Sequence, residues 1–263
     1  MTKNLDKDGL RSIVKNYDLF FIDLWGVVHN GINLHEKAIE TLEELNKSKK
    51  NYVLLTNAPR PNSTVKTFLK KLGMENKILE NVYTSGQAAL SYLKKNHVGE
   101  MFYHVGPPRD FDLFYNFEKK KTKDIKLSNY ILCTGLFDDH SQDLNYYKDL
   151  LSNHTNQRMI CTNPDLIVDR GDKRELCAGS VAMVFEKMGG KVVWVTVAGR
   201  SNALSGVVAA NTRFPVIGCP PFKDKDDMMV NINSTIQCPS KVPVMTILEP
   251  GNVALSIGRM FGM

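Results

Sequence analysis

Apolar runs of strand length alternate with helical patterns along most of this chain, and this alternation constrains the fold more than any other feature. The run over 17–23, YDLFFID, is apolar and ends in a carboxylate, which is typical of a buried parallel strand that stops at a functional edge. A helix over 35–47 and a second strand over 52–56 follow it. The sequence therefore predicts an α/β fold with a doubly wound parallel sheet.

The same alternation continues to the end of the chain. A second helix begins near Ser63, and Gly73 lies where a residue in the left-handed conformation would end it. The part over 83–174 has strands and helices of its own, which predicts an inserted α/β cap domain between the two parts of a core domain, 1–82 and 175–263. Further strands are predicted over 101–105, 130–134, 158–162, 191–197, 215–218 and 244–248, and further helices over 85–95, 144–152, 179–188, 202–210 and 253–261.

Composition narrows the classes of function. With 43% hydrophobic and 24% charged residues in 263, the chain can bury a substantial core. The net charge of +6 is scattered, and its one local run, Glu118–Lys123, is typical of a solvated face, so we expect no nucleic-acid partner. Five cysteines without CxxC spacing favour a reducing, cytoplasmic compartment over a disulfide framework or a zinc site. Neither a signal peptide nor a membrane-spanning stretch is recognisable, so no membrane partner is expected.

Two strand ends carry the residues that best fit a catalytic site. Asp23 ends the first strand, and in an open α/β sheet this edge is where ligands bind. A carboxylate can attack phosphorus when a divalent cation screens the repulsion between the two anions. Thr56 and Asn57 end the second strand and offer a hydroxyl and backbone amides to a phosphoryl oxygen. Four of the six histidines, at 29, 35, 104 and 140, show no ligand spacing and are expected on the surface or in loops.

Five ordered segments carry a resemblance to a known family, namely DLWGVVHNG (23–31), LLTNAPRP (54–61), TSGQAAL (84–90), CTNPDLIVDRG (161–171) and CAGSVAMVFEKMGGKVV (177–193). With these segments, residues 17–193 resemble the haloacid dehalogenase (HAD) superfamily, in particular its class IIA phosphatase-like branch with a large α/β cap. The resemblance implies an aspartate nucleophile at Asp23 that is also a Mg²⁺ ligand, a phosphate-binding hydroxyl at Thr56 and a supporting role for Asn57. It also implies that Asn163 and Asp165 lie on the substrate side of the cap and that the substrate is a small phosphorylated metabolite.

Three departures from the HAD pattern imply an impaired hydrolase. Trp25 occupies the position of the aspartate that protonates the leaving group, and an indole has no proton to give in that role. Val197 stands roughly where a lysine should neutralise the nucleophile and the phosphate. The late acidic motif that completes the metal site is also missing, because Asp226 and Asp227 lie in a lysine-rich loop without its context.

A second resemblance begins at the C-terminal part of the chain. The run AGRSN over 198–202 follows a strand and opens a helix, so its backbone amides and Arg200 could bind an anionic group. With the segments around it, the part over 192–263 resembles the C-terminal half of class II aminoimidazole ribonucleotide (AIR) carboxylases of purine biosynthesis. The resemblance implies that Ser201 and Asn202 line a nucleotide and carboxylate site, with a wall formed by Cys219, Pro220 and Pro221.

The first half of that family supplies a phosphate loop and a proton-handling histidine, and neither occurs over 1–191. Members of the family form octamers, so the resemblance to AIR carboxylases is compatible with a homo-oligomer. Three hypotheses follow from the sequence. The chain is a Mg²⁺-dependent HAD-type phosphomonoester hydrolase, or a carboxyl-transfer or ribonucleotide-binding module, or a chimeric α/β scaffold without catalysis that joins two parents near residues 191–195.

Overall fold

The computed structural model describes residues 10–12, 14–195, 209, 216–218, 225, 228, 232, 242–249, 252–253, 255–256 and 259. The chain divides into two compact units, residues 1–197 and residues 198–263. Among the described residues, the first unit contains two parallel sheets and a hairpin, and the second contains one short parallel pair of strands. Within the described residues, no helix has the length and apolar character needed to cross a membrane.

The first sheet has three parallel strands in the order β1-β2-β3. Its central strand is the most buried of the three, because the amphipathic helices that follow β1 and β2 place leucines against it. Gly73 ends the second of these helices with φ of 98°, which confirms the predicted left-handed cap. The elements are β1 (Leu19–Asp23), α1 (Glu36–Lys47), β2 (Asn51–Thr56), α2 (Asn62–Lys71) and β3 (Val82–Thr84).

The second sheet has five parallel strands in the order β10-β7-β6-β4-β5. Every residue of the central strand β6 is buried, as expected for a parallel strand covered on both faces. The strands are β4 (Phe102–Val105), β5 (Lys121–Thr122), β6 (Tyr130–Cys133), β7 (Arg158–Cys161) and β10 (Lys191–Trp194), and the helices are α3 (Ser85–Asn96), α4 (Leu144–Leu151) and α5 (Ala178–Lys187).

Short elements complete the first unit. The strands β8 (Ile167–Arg170) and β9 (Lys173–Leu176) form an antiparallel hairpin that the sequence patterns did not predict. Gly171 makes its turn possible with φ of 58°. The 3₁₀ turns are Leu10–Ser12, Val14–Asn16, Asn76–Ile78, Pro108–Leu113, Tyr115–Lys120, Ile125–Leu127, Asp138–His140 and Ser152–His154.

The strand β10 lies in a different sheet from the one predicted. The part over 175–263, which includes this strand, is predicted to belong to the core domain, but β10 pairs in parallel with β7. The reason is that α5 packs on β6 and β7, so the crossover returns the chain beside β7. The rest of the predicted domain division stays a prediction.

The second unit is described in part. Its strands β11 (Val216–Gly218) and β12 (Val244–Thr246) pair in parallel, and they confirm the strands predicted over 215–218 and 244–248 to within two residues at each end. The helix predicted over 202–210 lies outside the described residues except at position 209, and the helix over 253–261 is described at four positions. Cys133, Cys161 and Cys177 are buried free thiols in the described part of the chain.

Candidate functional site

Asp23 ends β1 at the edge where the parallel strands of the first sheet terminate. In the ladder it stands opposite Leu55, the residue before Thr56. Its Oδ1 accepts a hydrogen bond of 2.9 Å from the Leu24 amide, and the same amide lies 3.0 Å from the carbonyl oxygen of Leu55. Since neighbouring strands lie about 4.8 Å apart, this register places the Asp23 carboxylate beside the end of β2.

The electrostatic surroundings of Asp23 disfavour its charge. The side chain is reached by solvent, but the protein around it removes part of its hydration and thereby raises its pKa. The Leu24 amide opposes this effect, and the charge of Asp165 adds to it. A nearby cation would stabilise the charged form of this carboxylate.

Thr56 is buried at the end of β2, with 6% of its surface exposed. Its Oγ1 accepts a hydrogen bond of 3.3 Å from the Ala58 amide, so the loop after the strand folds back over the hydroxyl. The hydroxyl hydrogen can still be donated, because the Ala58 contact uses only a lone pair. Thr56 can therefore donate a hydrogen bond to an anion at the strand ends.

Asn57, Asn163 and Asp165 join the two sheets above these strand ends. The Asn57 amide donates from Nδ2 to Oδ1 of Asp165 over 3.1 Å. The turn after β7 is held by Oδ1 of Asn163, which accepts a hydrogen bond of 2.9 Å from the Asp165 amide. Burial raises the pKa of Asp165, and the Asn57 hydrogen bond lowers it. The structure thus brings together five predicted residues of the first unit, namely Asp23, Thr56, Asn57, Asn163 and Asp165.

A close backbone contact fixes the turn that carries Asp165. The Gly179 amide donates to the Asp165 carbonyl oxygen over 3.1 Å. A Cβ added at Gly179 would lie 2.3 Å from the carbonyl oxygen of Pro164 and 2.6 Å from that of Asp165. Only glycine allows α5 to begin this close to the turn, and this requirement gives a structural role to a residue of the CAGSV segment.

Two further residues that the sequence did not single out connect the sheets. Ser85 Oγ donates to the carbonyl oxygen of Thr162 over 2.6 Å and lies 3.1 Å from that of Ala58. Arg60, in the loop after Thr56, donates from Nη2 to the Arg109 carbonyl oxygen over 2.8 Å and to the Asp112 carboxylate over 3.1 Å. Ser85 lies in the TSGQAAL segment and Arg60 in the LLTNAPRP segment. Their role in connecting the sheets depends on tertiary contacts, which the sequence does not show.

Trp25 is held by the β8–β9 hairpin. Its indole Nε1 donates to the carbonyl oxygen of Asp169 over 3.0 Å, and the Arg170 guanidinium lies 5.2 Å from the centre of its ring. An added Cβ at Gly31 would lie 2.6 Å from the same indole. The N–H of Trp25 is therefore committed to the protein, in agreement with the inference that this position supplies no proton.

Two of the four histidines at 29, 35, 104 and 140 are buried. His29 lies in the loop after β1, in agreement with the expectation of surface or loop positions, whereas His104 lies in the strand β4 and contradicts it. His29 is 3% exposed, and its Nδ1 accepts a hydrogen bond of 3.0 Å from the Gly31 amide. His104 is 5% exposed, with Nε2 at 2.9 Å from Oγ1 of Thr134. Burial lowers the pKa of His29 to about 4 and that of His104 to about 3. Their hydrogen-bond partners are distant in sequence or set by loop geometry, so ligand spacing could not find them.

The residues predicted for the C-terminal site are not among the described residues. Arg200, Ser201 and Asn202 lie outside the described residues, as do Val197, the Asp226 and Asp227 pair, and the predicted wall of Cys219, Pro220 and Pro221. Among the described residues, no group of three or more histidine, cysteine, aspartate or glutamate side chains is arranged to hold a metal ion. Asp23 is the predicted metal ligand, and the charge of Asp165 raises its pKa.

Two family models match separate parts of the chain. Residues 20–117 match the model of haloacid dehalogenase-like hydrolases, and residues 178–263 match that of AIR carboxylases. The first match contains Asp23, Thr56 and Asn57. The second begins with α5 and β10, earlier than the resemblance placed the boundary. The strand β10 belongs to the second sheet, and α5 packs on that sheet.

Solved structures resemble the chain over most of its length. A hydrolase of the haloacid dehalogenase-like family from Brucella suis is 27% identical, covers 80% of each chain and has a TM-score of 0.65. A 4-nitrophenylphosphatase from Thermotoga maritima is 19% identical, covers 92% of each chain and has a TM-score of 0.54. The latter similarity shows the fold alone, and together the two establish an α/β fold of HAD type.

Curated relatives match the C-terminal part. A phosphoribosylaminoimidazole carboxylase from Archaeoglobus fulgidus is 53% identical over 72 residues, which are 27% of this chain and 39% of the relative. A bifunctional phosphoribosylaminoimidazole carboxylase/phosphoribosylaminoimidazole succinocarboxamide synthetase from Drosophila melanogaster is 34% identical over 109 residues, which are 41% of this chain and 25% of the relative. The matched part of the chain thus spans less than half the length of either relative. It joins a segment similar to haloacid dehalogenase-like hydrolases to a segment similar to the C-terminal part of AIR carboxylases.

Proposed function

We propose that this chain hydrolyses phosphomonoesters of small metabolites, with Asp23 as the nucleophile, Thr56 as a donor to the phosphoryl group and Mg²⁺ as the cofactor. The observation that carries the proposal is the register of β1 and β2, which sets the Asp23 carboxylate beside the Thr56 end of the neighbouring strand. The match to haloacid dehalogenase-like hydrolases over 20–117 supports it.

Each of the described residues has its own role in the proposed reaction. The Leu24 amide orients the Asp23 carboxylate, whose oxygen attacks phosphorus and forms an aspartyl phosphate as the ester oxygen leaves. Thr56 donates a hydrogen bond to a phosphoryl oxygen and stabilises the charge of the transition state. Water then attacks phosphorus and regenerates Asp23. Because the Trp25 N–H is bound to Asp169, we expect slow turnover of esters whose leaving group needs a proton.

The donors around Asp23 fit a magnesium ion. Mg²⁺ is usually bound by one or two carboxylates and keeps several waters, so it does not need a cage of protein ligands. Asp23 is reached by solvent, and the neighbouring charge of Asp165 disfavours its ionised form. Mg²⁺ bound at Asp23 would relieve this repulsion and screen the carboxylate from the incoming phosphate.

The test is hydrolysis of 4-nitrophenyl phosphate by the full chain with and without MgCl₂. We expect activity that EDTA abolishes, that Asp23→Asn abolishes and that Thr56→Val lowers about a hundredfold. Asp18→Asn is the matched control, because it removes an exposed carboxylate near the other end of β1. Full activity of Asp23→Asn would show that another group attacks phosphorus.

The second candidate function is ribonucleotide binding by the C-terminal segment. The 53% identity to the archaeal carboxylase over 72 residues favours it. We expect aminoimidazole ribonucleotide to bind in a calorimetric titration and Ser201→Ala to weaken binding, while Ser48→Ala, an exposed serine of the first unit, leaves it unchanged. A chain that melts cooperatively, hydrolyses no phosphate ester and binds no ribonucleotide would be the scaffold without catalysis.

A further inference from the structure

A groove of about 730 Å³ lies at the edge of the second sheet where its strands begin. It is lined by the end of α3, by the 3₁₀ turn Tyr115–Lys120 and by Tyr130, the first residue of β6. Asn163 and Asp165, which are predicted to lie on the substrate side of the cap, follow the end of β7 at the opposite edge of the same parallel sheet. The groove is therefore separate from the site described above, and its volume falls within the range of small-molecule sites.

Aromatic side chains form the walls of the groove. Tyr130 is 2% exposed and stacks on Phe102, with ring centres 5.8 Å apart, and Phe117 meets the Phe102 ring edge-on at 5.6 Å. These contacts fix two of the walls. Tyr115 is different, because it rests on Phe111 at 5.6 Å but keeps 66% of its surface exposed. One face of a supported ring is thus open to a planar ligand.

The polar groups inside the groove satisfy each other. The side chain of His97 is 6% exposed, and its ring lies 4.8 Å from that of Tyr130. Its Nδ1 lies 2.7 Å from Oε2 of Glu100, which holds the carboxylate in place. One carboxylate oxygen of Glu100 is therefore already engaged within the protein.

The rim of the groove has an excess of positive charge. Lys94 lies in the last turn of α3, and Lys119 and Lys120 end the 3₁₀ turn on the other side. None of these three lysines forms an ion pair within the part of the chain that the structure describes. Glu118 is the remaining acidic residue of the lining. Lys119 and Lys120 belong to the basic run over 118–123, to which the proposed hydrolase assigns no function.

We propose that this groove is a binding site for a planar aromatic anion. The aromatic plane packs on the open face of Tyr115, and the anionic group faces Lys94, Lys119 and Lys120. A neutral aromatic compound would leave the three ammonium groups without a partner, and a small inorganic anion would leave the aromatic walls in water. Both features together select a ligand that carries a ring system and a negative charge.

The test uses 1-anilinonaphthalene-8-sulfonate, an aromatic sulfonate with no phosphate ester, titrated into the full chain and followed by fluorescence. We expect saturable binding at one site. Tyr115→Ala should weaken it about tenfold, by the usual contribution of one stacked ring. The double variant Lys119→Ala/Lys120→Ala should weaken it by about a further tenfold at low salt, within the range for two exposed charge contacts. All of these side chains are exposed or half-buried, and circular dichroism checks that the variants fold.

Matched controls separate this site from general dye binding. Tyr83→Ala removes a partly exposed tyrosine of β3, and Lys126→Ala removes an exposed lysine outside the groove, and neither should change affinity. The neutral dye N-phenyl-1-naphthylamine should bind more weakly and should be insensitive to the lysine variants. Equal binding of both dyes, non-saturable binding or unchanged affinity in Tyr115→Ala would each overturn the proposal, as would a dimer in sedimentation that Tyr115→Ala dissociates.

Discussion

Asp110 provides a quantitative test of the electrostatics of the second sheet. It is 4% exposed in the 3₁₀ turn Pro108–Leu113. Burial raises its pKa to about 6, although a hydrogen bond from Thr134 and the charge of Arg60 both lower it. The Arg60 Nε lies 3.8 Å from the carboxylate, so the guanidinium is close but not in contact with it. The ionised form of Asp110 is therefore destabilised in the folded chain.

The magnitude follows from the difference between the folded and unfolded pKa. A rise from 3.8 to about 6 is worth about 3 kcal/mol, since one pKa unit corresponds to about 1.4 kcal/mol. Between these two values the native chain binds more protons than the unfolded chain, so the free energy of unfolding falls as pH rises and becomes level above about 6. Asp110→Asn removes this dependence. The variant should gain about 2 kcal/mol relative to the wild type between pH 4 and pH 8, because the rest of the effect falls below pH 4.

Urea denaturation at five pH values between 4 and 8, followed by circular dichroism, measures this change. At each pH the free energy of unfolding of the wild type is subtracted from that of the variant, and these differences are compared across the series. If the amide changes the hydrogen bond with Thr134 by an amount that does not depend on pH, that amount cancels in the comparison. Asp139→Asn, which removes an exposed carboxylate from a nearby loop, is the control. A difference that stays constant with pH, or that favours the wild type more as pH rises, would refute the reasoning.

Three substitutions test the site itself. Gly179→Ala places a methyl group 2.3 Å from the Pro164 carbonyl oxygen, so we expect a loss of about 1–3 kcal/mol in urea denaturation and reduced phosphatase activity. Trp25→Phe removes the hydrogen bond to Asp169 and should cost about 1 kcal/mol, measured in the same way, without lowering the rate through a lost proton donor. Asp23→Asn removes a charge that burial disfavours, so in EDTA at pH 7 it should raise the melting temperature, and a decrease would contradict the assigned direction of the pKa.

Much of the fold could be predicted from periodicity. The strand predicted over 17–23 begins two residues later, and the helix predicted over 35–47 begins one residue later, with His35 as its N-cap. Elements of this kind are predictable because each buries one repeating set of apolar side chains, so the pattern is contained in the segment itself. Gly73 was predictable for the same reason, since a cap depends on local backbone conformation.

Tertiary pairing was not predictable in this way. The strand β10 has the same apolar pattern wherever it pairs, so the sequence could not show that it joins β7. The β8–β9 hairpin has two four-residue strands rich in charged side chains around Gly171, so it lacks the apolar pattern by which the other strands are predictable. The burial of His104 depends on Thr134, thirty residues away, and no spacing rule connects them.

The candidate site combines features that act against one another when a phosphate dianion enters. Asp23 and Asp165 already disfavour each other's charge, and a phosphate adds two more negative charges beside them. Thr56 offers one hydrogen bond, and Trp25 has no free proton donor. The described residues therefore orient a phosphoryl group better than they neutralise it. For this reason the affinity for phosphate should rise with Mg²⁺ more steeply than the turnover does, since the cation restores the missing charge balance but supplies no leaving-group proton.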